Sequence, residues 1–195
     1  KKNNISIDVL INNAAIDFKP SKKKSHKNDN NRVESYSTKR WDKELDVGLK
    51  GAFLCIKNIG FYMTQNKNGG HIINISSDLS IISPNQNLYK DYKLNQDQQM
   101  VKPVTYSVIK SGLVGMTKYF STYWVNHNIR CNCISPGGIR TNQPQKFVKR
   151  LEKLIPLGRM AKIDEYNELI KFLSSDGSKY LNGQNIIVDG GRSVW

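Results

Sequence analysis

Short runs of β-branched residues alternate with longer segments of helical periodicity along this chain. Residues 7–15 (IDVLINNAA), 70–78 (GHIINISSD), 128–141 (NIRCNCISPGGIRT) and 185–189 (NIIVD) each contain a short, mostly apolar run that leads into a polar or turn-forming stretch. Such runs are typical of parallel strands that are buried on both faces. Because helical segments lie between them, the pattern predicts an α/β fold with a parallel sheet.

Three segments predict helices. Residues 40–66 and 105–126 are long, and residues 164–175 are shorter, with Asp164 in the N-cap position. By contrast, residues 17–39 are polar and rich in Lys and Asn, which predicts a mobile surface loop. The first helix carries a stripe of apolar residues at helical spacing: Trp41, Leu45, Leu49, Phe53, Ile56 and Ile59.

The composition bounds the class of protein. The length of 195 residues fits one domain, 1–195, with a core of its own. No apolar run is long enough to span a bilayer, so we expect no membrane contact. Cys55, Cys131 and Cys133 do not form a disulfide framework, and we interpret the last two as ordinary buried thiols, which fits a cytoplasmic location. The three histidines lack metal-ligand spacing, so we expect no metal site.

The net charge of +14 raises the alternative of a nucleic-acid-binding protein. The chain shows no aromatic-interleaved basic helix, zinc finger or RNA-stacking motif, so we expect no nucleic acid as a partner. The basic residues concentrate in residues 138–162, where seven basic side chains face the single acid Glu152. This segment forms either a solvated surface or a site for an anion.

The strongest chemical signal lies in residues 105–126 (TYSVIKSGLVGMTKYFSTYWVN). Tyr106 and Lys110 are four residues apart, so they share one helix face. An ammonium beside a phenol favours the phenolate, and such a tyrosine can exchange a proton near neutral pH. Tyr89 and Lys93 have the same spacing, but a polar run follows them, whereas an amphipathic helix follows Tyr106. We therefore favour Tyr106 as the catalytic candidate.

Gly112 and Gly115 interrupt this helix. Each glycine costs a helix about 1 kcal/mol relative to alanine. We therefore expect both to mark places where another element packs closely.

Five pieces, taken in order, resemble the short-chain dehydrogenase/reductase family in its compact one-domain form: DVLINNAA, GHIINISSD, TYSVIK, PGGIRT and DGG. Their order is specific, although no single piece would be. The resemblance implies a doubly wound parallel sheet that binds NAD or NADP. Segments 103–124, 156–166 and 189–195 also look like the oxidoreductases found with flagellin-modification and nonulosonic-acid sugar pathways.

The resemblance implies a role for each matching residue. Ser77 would orient the substrate oxygen, with Ser76 as the alternative register. Tyr106 would exchange a proton with that oxygen, and Lys110 would favour the phenolate and hold the nicotinamide ribose. The other implied cofactor-binding residues are Asn12, Asn13 and Ala14 near the adenosine, and Pro136, Gly137, Ile139 and Thr141 near the nicotinamide carboxamide.

The chain departs from the family pattern in three places. Gly48 stands where the family usually has an Asn that helps to hold a water in a proton relay. The interval from Ser77 to Tyr106 is long, and residues 84–103 look like an inserted loop beside the pocket. No glycine-rich strand–turn–helix precedes residue 7. We therefore expect the first βα units to be missing, on the order of 80 residues at roughly 30 per unit.

These observations predict an NAD(P)-dependent oxidoreductase that acts on a hydroxyl or keto group of a small molecule. In the family, residues 138–162 form a lid over the substrate, which makes an anionic sugar or nucleotide sugar an expected substrate. The family pairs the two long helices between subunits, so we also expect a homo-oligomer, a dimer or a tetramer. A non-catalytic homologue or fragment is the first alternative, and the basic nucleic-acid-binding protein is the second.

The absent units affect the expected behaviour of the chain alone. They would hold the pyrophosphate at a helix N-terminus, where the dipole favours negative charge. We therefore expect residues 1–195 to bind a dinucleotide weakly or not at all, which calorimetry with NADH or NADPH can measure.

Overall fold

Four parallel strands form the centre of the molecule. The computed structural model describes residues 6–16 and 31–195. Strands β1 (Val9–Asn12), β2 (Gly70–Ile75), β3 (Ile129–Pro136) and β4 (Asn185–Val188) pair in that order, each parallel to the next. All four strands lie within the segments that the apolar runs predict. The predicted α/β class is therefore confirmed.

Helix α1 covers residues 38–63 as a series of segments with continuous helical backbone. Its α-helical segments are Thr38–Leu45, Gly51–Cys55 and Phe61–Met63, and they alternate with the π-helical segments Asp46–Lys50 and Ile56–Gly60. Because a π-turn holds more residues than an α-turn, the buried face recurs every four residues. Its members are Glu44, Gly48, Ala52, Ile56 and Gly60, and the buried Met63 follows three residues later. The predicted stripe was therefore partly wrong, since Phe53 is 42% exposed.

Three further helices complete the described layers: α2 (Val104–Tyr123), α3 (Gln145–Glu152) and α4 (Asn167–Leu173). The predicted N-cap at Asp164 is wrong, because α4 begins at Asn167 and its cap position is Tyr166. The backbone carbonyl of Asp164 instead accepts a bond from the Asn167 N–H in the preceding turn. Most of the loop predicted at 17–39 lies outside the described residues.

Helices cover both faces of the sheet. On one face, Leu10, Ile72 and Cys131 from neighbouring strands pack with Ile56 and Met63 of α1 and with Phe120 of α2. On the other face, Ile73 and Ile134 pack against Leu173 of α4. Because the two clusters lie on opposite sides of the same strands, the layers are helix, sheet and helix.

Helices α1 and α2 approach closely at Gly112. A Cβ at this position would lie 2.9 Å from Cδ1 of Leu49, so a side chain here would displace the end of the Leu49 side chain. The expected packing contact is therefore confirmed at Gly112. At Gly115 the expectation is wrong, because nothing described lies within 4 Å of an added Cβ.

The interior of the sheet also holds thiols and amides. Cys131 and Cys133 are fully buried, as predicted, and burial raises the pKa of these thiols to about 12 and about 11. The Asn12 side-chain amide donates to Asn74 Oδ1 at 2.8 Å, and the Asn74 amide donates to the Thr117 hydroxyl at 2.8 Å. These bonds link β1, β2 and α2 across the core.

His71 makes a second polar link, between the sheet and α4. Its Nδ1 contacts the Leu173 carbonyl, which can only accept, so Nδ1 carries the proton. Its Nε2 then accepts from the Asn132 amide at 2.9 Å. Burial, with the nearby Arg130 charge as a second cause, lowers the pKa of His71 to about 4. The ring is therefore neutral in the folded protein at ordinary pH.

This pKa predicts a stability change on acidification. Above the unfolded value of 6.5, His71 is neutral in both states and contributes no pH dependence. Between 6.5 and about 4 only the unfolded chain takes up the proton, so the free energy of unfolding falls as the pH falls. We expect this residue to reduce stability by about 2 kcal/mol between about pH 7 and about pH 5.

Urea unfolding at both pH values measures the effect. His71→Gln should flatten the pH dependence, whereas His127→Gln, at an exposed position, should not change it. The same slope in His71→Gln as in the unaltered chain would contradict the assignment.

Candidate active site

The carboxyl end of β2 and the first turns of α2 form the centre of the site. Lys110 is 7% exposed, and its ammonium donates to the Ile75 carbonyl at 2.8 Å. In return, the Ser76 hydroxyl donates to the Lys110 carbonyl at 2.7 Å. These two bonds join the strand end to the helix. Because its hydroxyl hydrogen is engaged in this way, Ser76 could orient a substrate oxygen only if this bond to α2 broke.

Ser77 stands beside this junction and is 5% exposed. Its hydroxyl donates to Asp78 Oδ1 at 2.8 Å and accepts from the Leu79 N–H at 3.2 Å. A hydroxyl has one donor hydrogen and two acceptor lone pairs. In this arrangement the hydrogen points to Asp78, so Ser77 can donate to another oxygen only after its hydroxyl rotates.

A buried ion pair holds Asp78 in place. Arg192 Nη1 donates to Asp78 Oδ2 at 2.6 Å, and the two side chains are only 7% and 4% exposed. A buried carboxylate needs such a partner, and the removal of one member typically costs 3–5 kcal/mol, by order of magnitude. The turn after β4 thus supports the loop that carries Ser77.

A small cavity adjoins α2. Its lining includes Tyr106 and Lys110 from α2, Gly48 from α1, and Ala15 after β1. The cavity volume is about 10 Å³, which is room for about one water. Tyr106 and Lys110 therefore line the same cavity as Gly48, the glycine that stands where the family usually has an Asn.

Gly48 lets α1 pack closely against α2. A Cβ at this position would lie 2.8 Å from Cγ2 of Ile109, the residue beside Lys110 on α2. An Asn could occupy position 48 only if Ile109 moved. The glycine and the isoleucine therefore form one packing arrangement.

A buried carboxylate, Glu44, lies at the edge of the same cavity. Burial alone would raise its pKa, but bonds from Thr105, Tyr36 and Arg40 outweigh burial and lower it. The Tyr36 phenol is half-buried and donates to this carboxylate at 2.7 Å, and partial burial, followed by this bond, raises the Tyr36 pKa to about 12. The cluster fixes α1 to the start of α2, immediately before Tyr106.

The loop at 84–103 packs against the basic segment 138–162. Leu88 is buried with Val148 and Leu151 of α3, and the ring of Tyr89 lies 5.4 Å from that of Phe147. The Arg150 guanidinium donates to loop carbonyls, those of Asn87, Leu88 and Lys90. Tyr89 therefore has a packing role here, and Tyr106 is the tyrosine that lines the cavity.

The expected adenosine-side residues lie at the end of β1. Asn12 is buried and bonded to Asn74, so its side chain supports the sheet. Asn13 and Ala14 are exposed, and the next residue, Ala15, reaches the cavity.

The expected nicotinamide-side residues follow β3. Pro136 ends the strand, and a Cβ on Gly137 would lie 2.8 Å from the Asp189 Cα, so this glycine packs against the turn after β4. Gln143 braces the next turn, because its amide donates to the Ile139 carbonyl and its oxygen accepts from the Thr141 N–H, both at 2.7 Å.

The basic segment 138–162 is partly paired. Arg159 forms a bidentate ion pair with Glu165, with hydrogen bonds of 2.7 and 2.6 Å. These hydrogen bonds lower the Glu165 pKa to about 2. Arg150 is bonded to the inserted loop. Arg140 donates to Gln145 at 3.0 Å on the surface, and Lys149 is exposed.

Sequence reasoning missed three residues of this site. Lys102 lies over the Tyr106 ring, with its Nζ 3.6 Å from the ring centroid. Its position four residues before Tyr106 was a usable signal. Asp78 and Arg192 were also missed, and their separation of 114 residues gave no local signal.

Two features are absent from the described residues, 6–16 and 31–195. Among them, no three His, Cys, Asp or Glu side chains come together as a metal site would require. Within the same residues, no helix combines the length and apolar character needed to cross a bilayer.

Comparison with known proteins agrees with this geometry. Residues 1–90 match the family profile described as short chain dehydrogenase, and residues 94–193 match the related profile described as enoyl-(acyl carrier protein) reductase. The 3-oxoacyl-(acyl-carrier-protein) reductase FabG of Thermotoga maritima is 33% identical over 96% of this chain and 67% of its own length. The chain belongs to the short-chain dehydrogenase/reductase family.

Other relatives act on small polyols or sugar acids by name. The NAD-dependent glycerol dehydrogenase of Listeria innocua and the 2-dehydro-3-deoxy-D-gluconate 5-dehydrogenase of Escherichia coli are each 30% identical to this chain. They are matched over 96% and 95% of this chain, and over 65% of their own length. The chain thus spans about two thirds of the length of these relatives. The closer likeness to flagellin-modification enzymes stays a prediction.

Solved structures show the same fold. A short chain dehydrogenase from Leptospira borgpetersenii with bound NAD+ superposes with a TM-score of 0.80 at 30% identity, over 96% of this chain and 65% of its own. A gluconate 5-dehydrogenase from Burkholderia cenocepacia in complex with NADP and tartrate also gives 0.80, at 25% identity, over 99% of this chain and 67% of its own. Both match the parallel sheet described above.

Proposed function

We propose that this chain is the catalytic part of an oxidoreductase that transfers a hydride between NAD or NADP and a hydroxyl or keto group of a small molecule. One observation carries the proposal: Tyr106 and Lys110 line one cavity, and the Lys110 ammonium is bonded to Ile75 at the carboxyl end of β2, two residues before Ser77. Ligands of open α/β sheets bind at this edge. The family relatives named above support the reaction class.

The residues present fit the nicotinamide half of such a cofactor. The ammonium and phenol beside the cavity match the hydroxyl groups of a ribose, and the turn at 137–141 follows the neighbouring strand. NAD(H) or NADP(H), when bound, supplies the hydride chemistry. Lys110 would hold the ribose hydroxyls, and the backbone of Ile139 with the Thr141 hydroxyl would hold the carboxamide. Asn13 and Ala14 would border the adenosine.

The proton chemistry belongs to Tyr106. In ketone reduction, its phenol gives a proton to the substrate oxygen, and in alcohol oxidation, its phenolate takes one. Lys110 favours the phenolate, because a nearby positive charge stabilises the negative form. Ser77 orients the substrate oxygen after its hydroxyl turns away from Asp78. The one-water cavity between Gly48 and Lys110 offers a place for the water that the family's Asn helps to hold.

Tyr106→Phe tests the catalytic assignment. The tests use the complete protein that contains this sequence, which is called the extended protein below. Because Phe cannot exchange a proton, we expect kcat to fall about a hundredfold or more, with little change in the Kd for NADH or NADPH. Tyr89→Phe is the matched control and should keep its activity. An active Tyr106→Phe with an inactive Tyr89→Phe would reverse the assignment.

We further propose an anionic sugar as the substrate. The exposed basic residues of the lid, Arg140 and Lys149, are its candidate partners, and Arg159 is a poorer one because Glu165 already pairs with it. A charge-assisted contact of this kind is weakened by salt.

Kinetics with two substrates distinguish the anion site from a solvated surface. D-gluconate carries a carboxylate and glycerol does not, and relatives are named for both compound classes. We expect Arg140→Ala and Lys149→Ala to raise KM for gluconate by about three- to tenfold, at about 1.4 kcal/mol per tenfold, and to weaken its salt dependence. KM for glycerol should not change, and Arg159→Ala should have less effect. Equal KM changes for both compounds would contradict the proposal.

We also propose that α1 and α2 pair between subunits of a homo-oligomer. Their outer faces expose large apolar side chains, which is unusual for a surface that stays in water. These residues are Leu54, Phe61, Tyr62, Val108, Tyr119 and Tyr123, with exposures from 38% to 68%.

Light scattering on the extended protein measures this association. We expect a dimer or tetramer at micromolar concentration, and we expect Phe61→Asp with Tyr119→Asp to give a monomer because buried charges would oppose the contact. Tyr180→Asp, at a fully exposed position outside both helices, is the control. A monomeric unaltered protein would contradict the proposal.

Cell fractionation would separately test the cytoplasmic location that the free thiols favour.

A further inference from the structure

Tyr106 has a second ammonium neighbour. The Lys102 Nζ lies 3.6 Å from the centroid of its ring, closer than the Lys110 Nζ at 5.8 Å. A cation within about 6 Å of an aromatic face is attracted to the ring. Lys102 belongs to the inserted loop at 84–103, and the roles inferred from the family resemblance include none for it.

The position of Lys102 is fixed by the structure around it. Its backbone N–H donates to Gln86 Oε1 at 2.8 Å, and the carbonyl of Val101 accepts from the Asn31 amide at 3.0 Å. Pro103 follows and caps α2, one turn before Tyr106. The lysine therefore sits at an anchored junction between the loop and the helix.

The loop itself is held on two sides. On one side, Arg32 donates to the Gln96 carbonyl at 2.9 Å. On the other side, Leu88 is buried against Val148 and Leu151 of α3, and Arg150 donates to loop carbonyls. Because both sides of the loop are fixed, the fold already restricts the backbone of Lys102, and holding its side chain near Tyr106 costs less entropy.

Other charged groups face the same space. Glu44 lines the cavity with Tyr106, but its carboxylate is bonded to Arg40, Tyr36 and Thr105. Asp78, beside Ser77, is paired with Arg192. Each of these two carboxylates is thus paired with an arginine.

We propose that Lys102 is a positioning residue for Tyr106, and that its ammonium shares with Lys110 the task of stabilising the phenolate. The physical reason is that a nearby positive charge favours the ionised phenol, and a partly buried site screens that charge less than bulk water does. The inserted loop would thereby extend the pH range in which Tyr106 accepts a proton. This role rests on the proposed function of Tyr106.

The ionisation of Tyr106 can be measured without substrate or cofactor. Phenolate absorbs ultraviolet light differently from phenol, so a pH titration follows all tyrosines together. Subtraction of the same titration in a Tyr106→Phe background isolates this one residue. The experiment uses the extended protein with Lys102→Met and Lys102→Gln as neutral variants and Lys102→Arg as the charge-conserving variant. Lys118→Met, at an exposed position of α2, is the control.

We expect the titration midpoint of Tyr106 to rise by about half a pH unit or more in both neutral variants. At any pH well below the midpoint, this leaves about threefold less phenolate. Lys102→Arg and Lys118→Met should keep the original midpoint. An unchanged midpoint in Lys102→Met and Lys102→Gln would overturn the proposal. So would an equal shift in Lys118→Met, which would indicate a general effect of net charge.

Steady-state kinetics separate this inference from the proposed function. If the enzyme turns over, the acid limb of the kcat profile for alcohol oxidation should move in the neutral variants by the same amount, with KM for the cofactor unchanged. If Lys102 only supported the fold, its replacement would lower the amount of active protein without moving the profile, and Lys102→Arg would not restore it. A failure to find any turnover would contradict the proposed function, while the titration would still decide the role of Lys102.

Discussion

The paired hydrogen bonds between Lys110 and the end of β2 are the contact on which the rest of the site depends. The ammonium of Lys110 reaches the Ile75 carbonyl while the Ser76 hydroxyl reaches the Lys110 carbonyl, so each element holds the other in two places. This contact sets the position of Tyr106 relative to Ser77. It also holds Ile109 on α2, and Gly48 of α1 packs closely against that side chain.

Much of this arrangement could be predicted from local sequence. The β-branched run at 72–75 predicts β2 because such residues fit a buried strand, and the periodicity after Tyr106 predicts α2. The spacing of Tyr106 and Lys110 then places both on one helix face. These predictions succeed because strand burial and helical periodicity are properties of neighbouring residues.

Other features depend on partners that local sequence does not show. The π-helical segments of α1 shift its buried face away from the simple helical stripe, and only the packing against α2 shows this shift. Asp78 follows Ser77 directly, but its charge is matched by Arg192, 114 residues away. Lys102 was visible at helical spacing, yet it lies in a polar loop whose anchoring contacts come from residues 31–32 and from α3.

The separations along the chain suggest an order in which the site assembles during folding. The bonds between β2 and α2 close over 34 and 35 residues, whereas the Asp78–Arg192 pair closes over 114. Since longer closures cost more entropy and long-range contacts generally slow folding, we infer that the Lys110 junction forms before Asp78 gains its counter-charge. A transient species would then hold the tyrosine and lysine in place while the serine loop is still unsupported. Folding kinetics in which Arg192→Met slows refolding as much as a change at the Lys110 junction would contradict this order.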